Sequence, residues 1–296
     1  MNWDDLKVFL AVARAESLSG AGRGLKVDPA TVGRRIGRLE EELGAPLFAK
    51  SPQGYALTDA GQRLMGHAER AEQAMGAAVE ELAGQAGALS GQIRIGAPDG
   101  CANYLLPQVC ARIVQDNPDL EVQIVALPRV FNLSKREADM AIGVSPPNAG
   151  RLTVQKITDY KLHLAAHRDY LAQHPPIQSI DDLLGHPMIG YIPDMIFDKE
   201  LDYLSESGVS RVSLASNSVS VQFNWVRQGS GIGIVHDFAI PSTTGLQKLL
   251  EDRISLTRSF YLIRHADDRR LDRMNRFAQS LAEGLRAEVA RLEALC

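Results

Sequence analysis

The stretch VDPATVGRRIGRLEEELG places Arg34, Arg35 and Arg38 within five residues and follows them with three glutamates. Guanidinium groups sharing one side of a helix can grip phosphates, while residues at the helix start can reach base edges in a major groove. Asp28 is a good N-cap, Pro29 a good first residue and Gly44 a good stop, so these positions predict a helix between them. Val32, Ile36, Leu39 and Leu43 fall on one face; Thr31, Arg34, Arg35 and Arg38 fall on another. Pro29, Ala30 and Thr31 are therefore candidate base readers, the first two by apolar contact and the third through its hydroxyl. Arg34, Arg35 and Arg38 are candidate phosphate contacts.

A net charge of −4 does not exclude such a partner, because its distribution matters more than the sum. Between Arg23 and Arg38 five bases face a single acid, Asp28. Catalytic chemistry finds less support. His163 and His167 are four apart, but they fall on a strand and its exit, where that spacing makes no metal face. The glycines of GSGIGIV run into a strand instead of opening a helix, so they make no dinucleotide loop. All seven histidines are read as structural, and neither a Gly-x-Ser-x-Gly elbow nor a His-Glu-x-x-His pair is present. Cys101, Cys110 and Cys296 have unrelated spacings, which fits neither a disulfide framework nor a zinc site. Cys101, in the first turn of an expected helix from 101 to 116, is placed for a lowered pKa and oxidant sensing, although packing is the plainer expectation.

The elements that position these residues can be read around them. Leu6, Phe9, Leu10 and Ala13 predict a half-buried first helix, and Ser19 a cap for a short second helix ending at Leu25. The segment APLFAKSPQGYALT reads as two short strands about a turn, carrying Lys50 and Gln53. From Thr58 to Leu89 a four-three spacing (Leu64, Ala68, Ala71, Met75, Ala78, Leu82, Gln85, Leu89) predicts a long helix with a weak coiled-coil seam. The texture then alternates strand-like and helical runs, beginning with QIRIG, a helix, and a strand after Asn117-Pro118, which is the grammar of a parallel sheet covered by helices. Leu271, Met274, Phe277, Leu281 and Leu285 mark one face of a closing helix. No apolar run approaches the roughly 18–20 residues of a membrane span, and no signal peptide is read at MNWDDLKVFLAV, so the expected location is the cytoplasm without a membrane partner.

Three helices and a small hairpin make a winged helix-turn-helix, and this sequence resembles the LysR-type transcriptional regulators. The resemblance rests on Leu39-Glu40, Leu43-Gly44, Leu47-Phe48, Leu57-Thr58 and Ala60-Gly61, ungapped and dense over about the first 65 residues. The second half is matched more loosely by QIRIG, YLLP, NPDLEV, READMAIG and QGSGIGIV. It implies an α/β chain with an N-terminal winged helix-turn-helix at 1–60, a linker and dimerisation helix at 58–89, and a two-lobed effector domain like periplasmic binding proteins. Lobe I would comprise 90–164 plus 266–296, and lobe II 165–265.

The family implies a regulator of double-stranded promoter or operator DNA, without catalysis or a cofactor. Its partners would be a small-molecule effector of unknown identity, further copies in a homodimer or homotetramer, and RNA polymerase. Rival readings are a ligand-independent DNA binder, or a solute-binding or enzymatic module tethered to DNA. By the resemblance Arg34 matches the family's phosphate-gripping arginine and Lys50 its positive residue after Leu47-Phe48. Pro29, Gly33 and Gln53 stand where glutamine, serine and a wing arginine are frequent. In the cleft the family implies effector contacts from Gly100, Ser145, Asn217 and Ser218. Cys101 and Asn103 lie in the turn PDGCAN, whose free backbone amides at a helix start suit an anion, and Arg129, just after the second strand, is placed as a carboxylate clamp. Gly100 takes a place where relatives often carry a serine or threonine for that purpose.

Overall fold

The computed structural model describes residues 2–51, 54–82, 89–126, 138–147, 151–204, 211–266, 268 and 271–296, with 50–51, 70, 73 and 76–82 described for their backbone alone. The chain divides into two compact units, Met1–Gly87 and Ala88–Cys296.

In the first unit, α1 (Trp3–Ala15), α2 (Leu18–Leu25) and α3 (Pro29–Leu43) precede a hairpin of β1 (Phe48–Ser51) and β2 (Gly54–Leu57), and α4 runs over Asp59–Leu82. Phe9, Leu10, Val12, Val32, Leu39 and Leu47 are almost wholly buried among these elements. Ser17, not Ser19, caps α2, accepting from the Gly20 amide at 3.0 Å; Ser19 lies within the helix. The turn into α3 folds back so closely that a Cβ on Gly22 would lie 2.7 Å from the Val27 carbonyl, so glycine is required there. Asp28 caps α3 by accepting from the Ala30 amide at 2.8 Å, and Gly44 ends it with φ at 64°. Leu43, expected inward, is 41% exposed because the helix is already leaving the core.

The seam of α4 divides. Leu64, Met65, Ala68 and Ala71 pack on the first unit's own core, whereas Met75 is 51% exposed. The side chains of Ala78 and Leu82, and Gln85 altogether, lie outside the described residues. Leu89, expected on this helix, is instead 3% exposed in the core of the second unit.

The second unit is built on one nine-stranded sheet. β3 (Gly91–Ala97) lies parallel between β4 (Leu120–Ala126) and β5 (Met140–Gly143). β6 (Leu152–His167) runs for 16 residues. With α5 (Asp99–Tyr104), α6 (Leu106–Asp116) and α7 (Arg168–Leu171) in between, the chain reaches β7 (Met188–Gly190), β8 (Leu214–Ala215), α8 (Val219–Arg227) and β9 (Ile232–His236). β7 pairs parallel with both β8 and β9, which makes a second α/β set. β10 (Leu246–Leu249) pairs with β6, and β11 (Ser255–His265) runs antiparallel along most of β6. These two long strands join the β3-centred set to the β7-centred set. α9 (Asp272–Glu293) buries Met274, Phe277, Leu281 and Leu285 as its spacing implied. The single helix expected from 101 to 116 is broken at Leu105, where φ −120° and ψ −51° leave the helical region and Pro107 opens the next helix.

Candidate functional site

Two sites can be built from these elements, one in each unit. In the first, the start of α3 is open to solvent. Pro29, Ala30 and Arg34 are exposed, Thr31 and Arg35 half-buried. The Arg34 guanidinium donates to Thr31 Oγ1 at 3.0 Å, so the two side chains act together on this face. Arg38 differs from its neighbours. Its guanidinium grips the carboxylate of Asp5, a residue with no exposed surface on α1, donating from Nε at 2.9 Å and from one terminal nitrogen to both oxygens at 2.5 Å. Gly33 faces α2, where an added Cβ would touch Leu18 at 3.4 Å. Lys50 pairs through its backbone with Tyr55 in the hairpin, and Gln53 lies outside the described residues.

The hairpin is held by the residues of the sequence motif. Glu40 Oε1 accepts from the amides of Leu47 at 2.7 Å and Phe48 at 3.2 Å. Thr58 donates to the Pro46 carbonyl at 2.7 Å and accepts from the Gly61 amide at 3.1 Å. A Cβ on Gly61 would come within 2.2 Å of the Leu47 carbonyl. A helix presented by its N-terminal end, backed by a core and flanked by a hairpin, is the geometry of major-groove reading.

In the second unit the cleft lies between α5 and β5 on one side and β7, α8 and β9 on the other. Its centre is almost filled, leaving about 20 Å³ lined chiefly by Asp99, Gly100, Tyr160, Tyr203, Asn217 and His236. α5 has six residues and an acid in its first turn, so it is no docking point for an anion. The acid itself is the bridge across the cleft. Asp99 Oδ2 accepts from Ser218 Oγ at 2.9 Å and from the Ser220 amide at 2.8 Å, which places the chain's own carboxylate at the N-terminus of α8. Asn103 is exposed and turned back to Asp99 at 3.0 Å. Ser145 donates to Asp198, a second link from the β5 side to the β7 side. Gly100 and Asn217 line the cavity, as does Cys101, while Arg129 lies outside the described residues.

A Cβ on Gly100 would lie 3.1 Å from both the His236 ring and Val219. A side chain here would therefore require His236 or Val219 to give by a few tenths of an ångström. Burial drives the pKa of His236 down to about 4, leaving the ring neutral. Tyr160, stacked on Phe260 with ring centroids 4.1 Å apart, is 1% exposed, and its hydroxyl has no hydrogen-bond partner among the described residues. Tyr203 lies near enough to influence its titration, and its own hydroxyl faces His236 Nε2 at 3.4 Å. Burial pushes both phenols up, so they are protonated at neutral pH. Burial also pushes the Cys101 thiol up and that of Cys110 to about 12, the reverse of the lowered pKa that oxidant sensing needs. His163 holds Asp237 at 2.8 Å, and Lys248 holds the same carboxylate at 2.8 Å. Among the described residues no group of three or more histidine, cysteine or acidic side chains is placed to hold a metal ion. No helix of the described residues is long and apolar enough to cross a membrane.

Comparison with known proteins decides the family. Residues 3–62 match the bacterial regulatory helix-turn-helix model of the lysR family, and residues 86–286 match the LysR substrate binding domain. The chain belongs to the LysR family. It is 26% identical to the transcriptional regulator PtxR of Pseudomonas aeruginosa over 245 residues, covering 81% of this chain and 78% of that protein. It is 28% identical to the transcriptional activator TtdR of Escherichia coli over 239 residues, 77% of this chain and 75% of that one. The structure of CrgA, a LysR-type regulator from Neisseria meningitidis, superposes with a TM-score of 0.60 at 24% identity over 96% of this chain and 99% of that chain.

The LysR chain is therefore a transcriptional regulator with a DNA-binding helix-turn-helix and an effector-binding domain, not an enzyme. LysR regulators bind DNA and small-molecule effectors and form oligomers. Sequence reading missed several of its cleft residues: Asp99, Tyr160, Tyr191, Tyr203 and His236. Tyr160 sits in a strand, Tyr191 and Tyr203 in irregular segments, and only the folding of β6, β7 and β9 into one sheet brings them together. The one local signal was Asp99 in the first turn of a helix beside a glycine.

Proposed function

We propose that this LysR regulator reads promoter DNA with Pro29, Ala30 and Thr31 at the start of α3, while Arg34 and Arg35 hold phosphates beside them. The observation that carries this reading is the exposed, N-capped start of α3 with Arg34 tied to Thr31. Gly33 leaves room for the duplex backbone to approach, and Lys50 of the hairpin, with Gln53 three residues on in sequence, would follow the adjacent backbone. Arg38 serves the fold through Asp5 more than it serves DNA. A small molecule in the cleft of the second unit, touching Gly100, Cys101, Asn217 and the tyrosines, would favour one arrangement of subunits over another, which requires different affinity for the two states. Ser145 and Ser218 act by linking the two sides, and Asn103 by supporting Asp99.

The working form is a homodimer or homotetramer in the cytoplasm, paired in part through the outer half of α4, with RNA polymerase as a further partner. No cofactor besides the effector is required. DNase footprinting of the region around the gene tests this directly. A protected, partly symmetric site is the supporting result, and uniform weak protection the opposing one.

A further inference from the structure

We infer that the cleft takes an uncharged aromatic molecule bearing one hydrogen-bonding group, such as an alcohol, and rejects carboxylates. This rests on the reading above that the cleft is the effector site. Three observations at the site point the same way. First, the donors that could receive an incoming carboxylate at the N-terminus of α8 are already taken by Asp99, through Ser218 Oγ and the Ser220 amide. A second carboxylate there would meet a like charge, which is unfavourable.

Second, the lining contains no compensating cation among the described residues. Asp99 is the charged side chain of the small cavity and Asp202 that of the adjoining chamber, the imidazole of His236 is neutral, and the nearby Arg258 is already paired with Glu200 at 3.1 Å. At Gly100, where a serine or threonine could offer a hydroxyl, there is no such group, and His236 and Val219 crowd the position. Third, the cavity does contain an unmet polar atom suited to a neutral partner. The hydroxyl of Tyr160 is buried, with no partner at full hydrogen-bonding geometry among the described residues, and a buried polar group in that state costs stability until something pairs with it.

The room for the rest of the molecule lies next door. Tyr191, Leu201 and Tyr203 wall both the small cavity and a chamber of about 220 Å³, whose other walls include Ile189, Ile196 and Ile234 with Asp202 and Gln222 as its polar members. A cavity of about 150 Å³ is enough to hold benzene. Tyr191 is only half-buried and meets Tyr203 edge-on at 5.7 Å between ring centroids, and a turn of its side chain would join the two spaces. An aromatic ring in the chamber then turns its polar group towards Tyr160 and His236.

Three probes of one shape and different charge test the inference: benzyl alcohol, benzoate and benzylammonium, titrated into the full chain by calorimetry or ligand-observed NMR. Benzyl alcohol is expected to bind at least tenfold more tightly than benzoate. Tyr160→Phe should weaken benzyl alcohol about fivefold without lowering the melting temperature, and Asp99→Asn should shrink the gap to benzoate at least threefold. Preference for benzoate or benzylammonium overturns the ligand class and leaves the cleft as the effector site. So does the absence of alcohol binding at 10 mM. Binding indifferent to both substitutions puts the molecule elsewhere and overturns the site reading as well.

Discussion

Arg38 and Asp5 are joined across 33 residues of sequence, a partly exposed guanidinium closing over a carboxylate that has no contact with water. This pair fastens α3 to α1 and separates the arginines of one stripe into two kinds. Arg38→Ala should lower the melting temperature of the DNA-binding unit, because it strands the charge of Asp5 in the interior. Asp5→Asn added to it should recover part of the loss. Arg34→Ala should leave the melting temperature within a degree or two and instead reduce the slope of log affinity against log salt by about 0.9, the loss of one phosphate contact. Calorimetry and salt-dependent DNA titration read the two effects separately.

Gly61 opens α4 directly against the hairpin. Its substitution by alanine would set a Cβ at 2.2 Å from the Leu47 carbonyl, so β1 or the helix must move. A cost of about 1–3 kcal/mol is expected, comparable to overpacking a core. Urea unfolding of the full chain should show it in the transition of the first unit, with that of the second unchanged.

Acid should loosen the second unit before it touches the first. An unfolded histidine takes its proton near pH 6.5, whereas His236 in the fold does so only near pH 4. Between those values the unfolded chain holds the extra proton, so the stability that depends on His236 falls as pH drops from about 6.5 to 4, and that loss is complete below. The full loss is on the order of 3 kcal/mol. Burial lowers His186 as well, in the same direction. His236→Gln should flatten the decline in stability measured by denaturant titration between pH 6.5 and 4.5; an unchanged decline would assign it to His186 and other groups.

Gly100→Ser places a new Cβ at 3.1 Å from His236 and Val219, closer than either accepts without moving. About 1–2 kcal/mol of destabilisation is expected, together with a weakened ligand response and unaltered affinity for DNA. Thermal unfolding and DNA binding with and without benzyl alcohol would measure both.

Much of the first unit could be read from sequence because its determinants are local. Asp28, Pro29 and Gly44 mark α3 by capping chemistry, and Glu40, Thr58 and Gly61 lie within about twenty residues of the hairpin they hold. The cleft followed another rule. Asp99 meets Ser218 and Ser220 across more than a hundred residues, and Tyr160 meets its cavity only once β6 crosses from one strand set to the other. No spacing within the chain announces such a partnership. Arg38 shows the same limit in miniature: its face of the helix was legible, but its attachment to Asp5 was not.

The most direct measurement is fluorescence anisotropy of a labelled fragment from the promoter region beside the gene, titrated with the full chain at 150 mM salt against a scrambled fragment of equal length. Binding at least a thousandfold tighter to the promoter fragment, and weakened by Arg34→Ala, is the expected result. Equal affinity for the two fragments would contradict it.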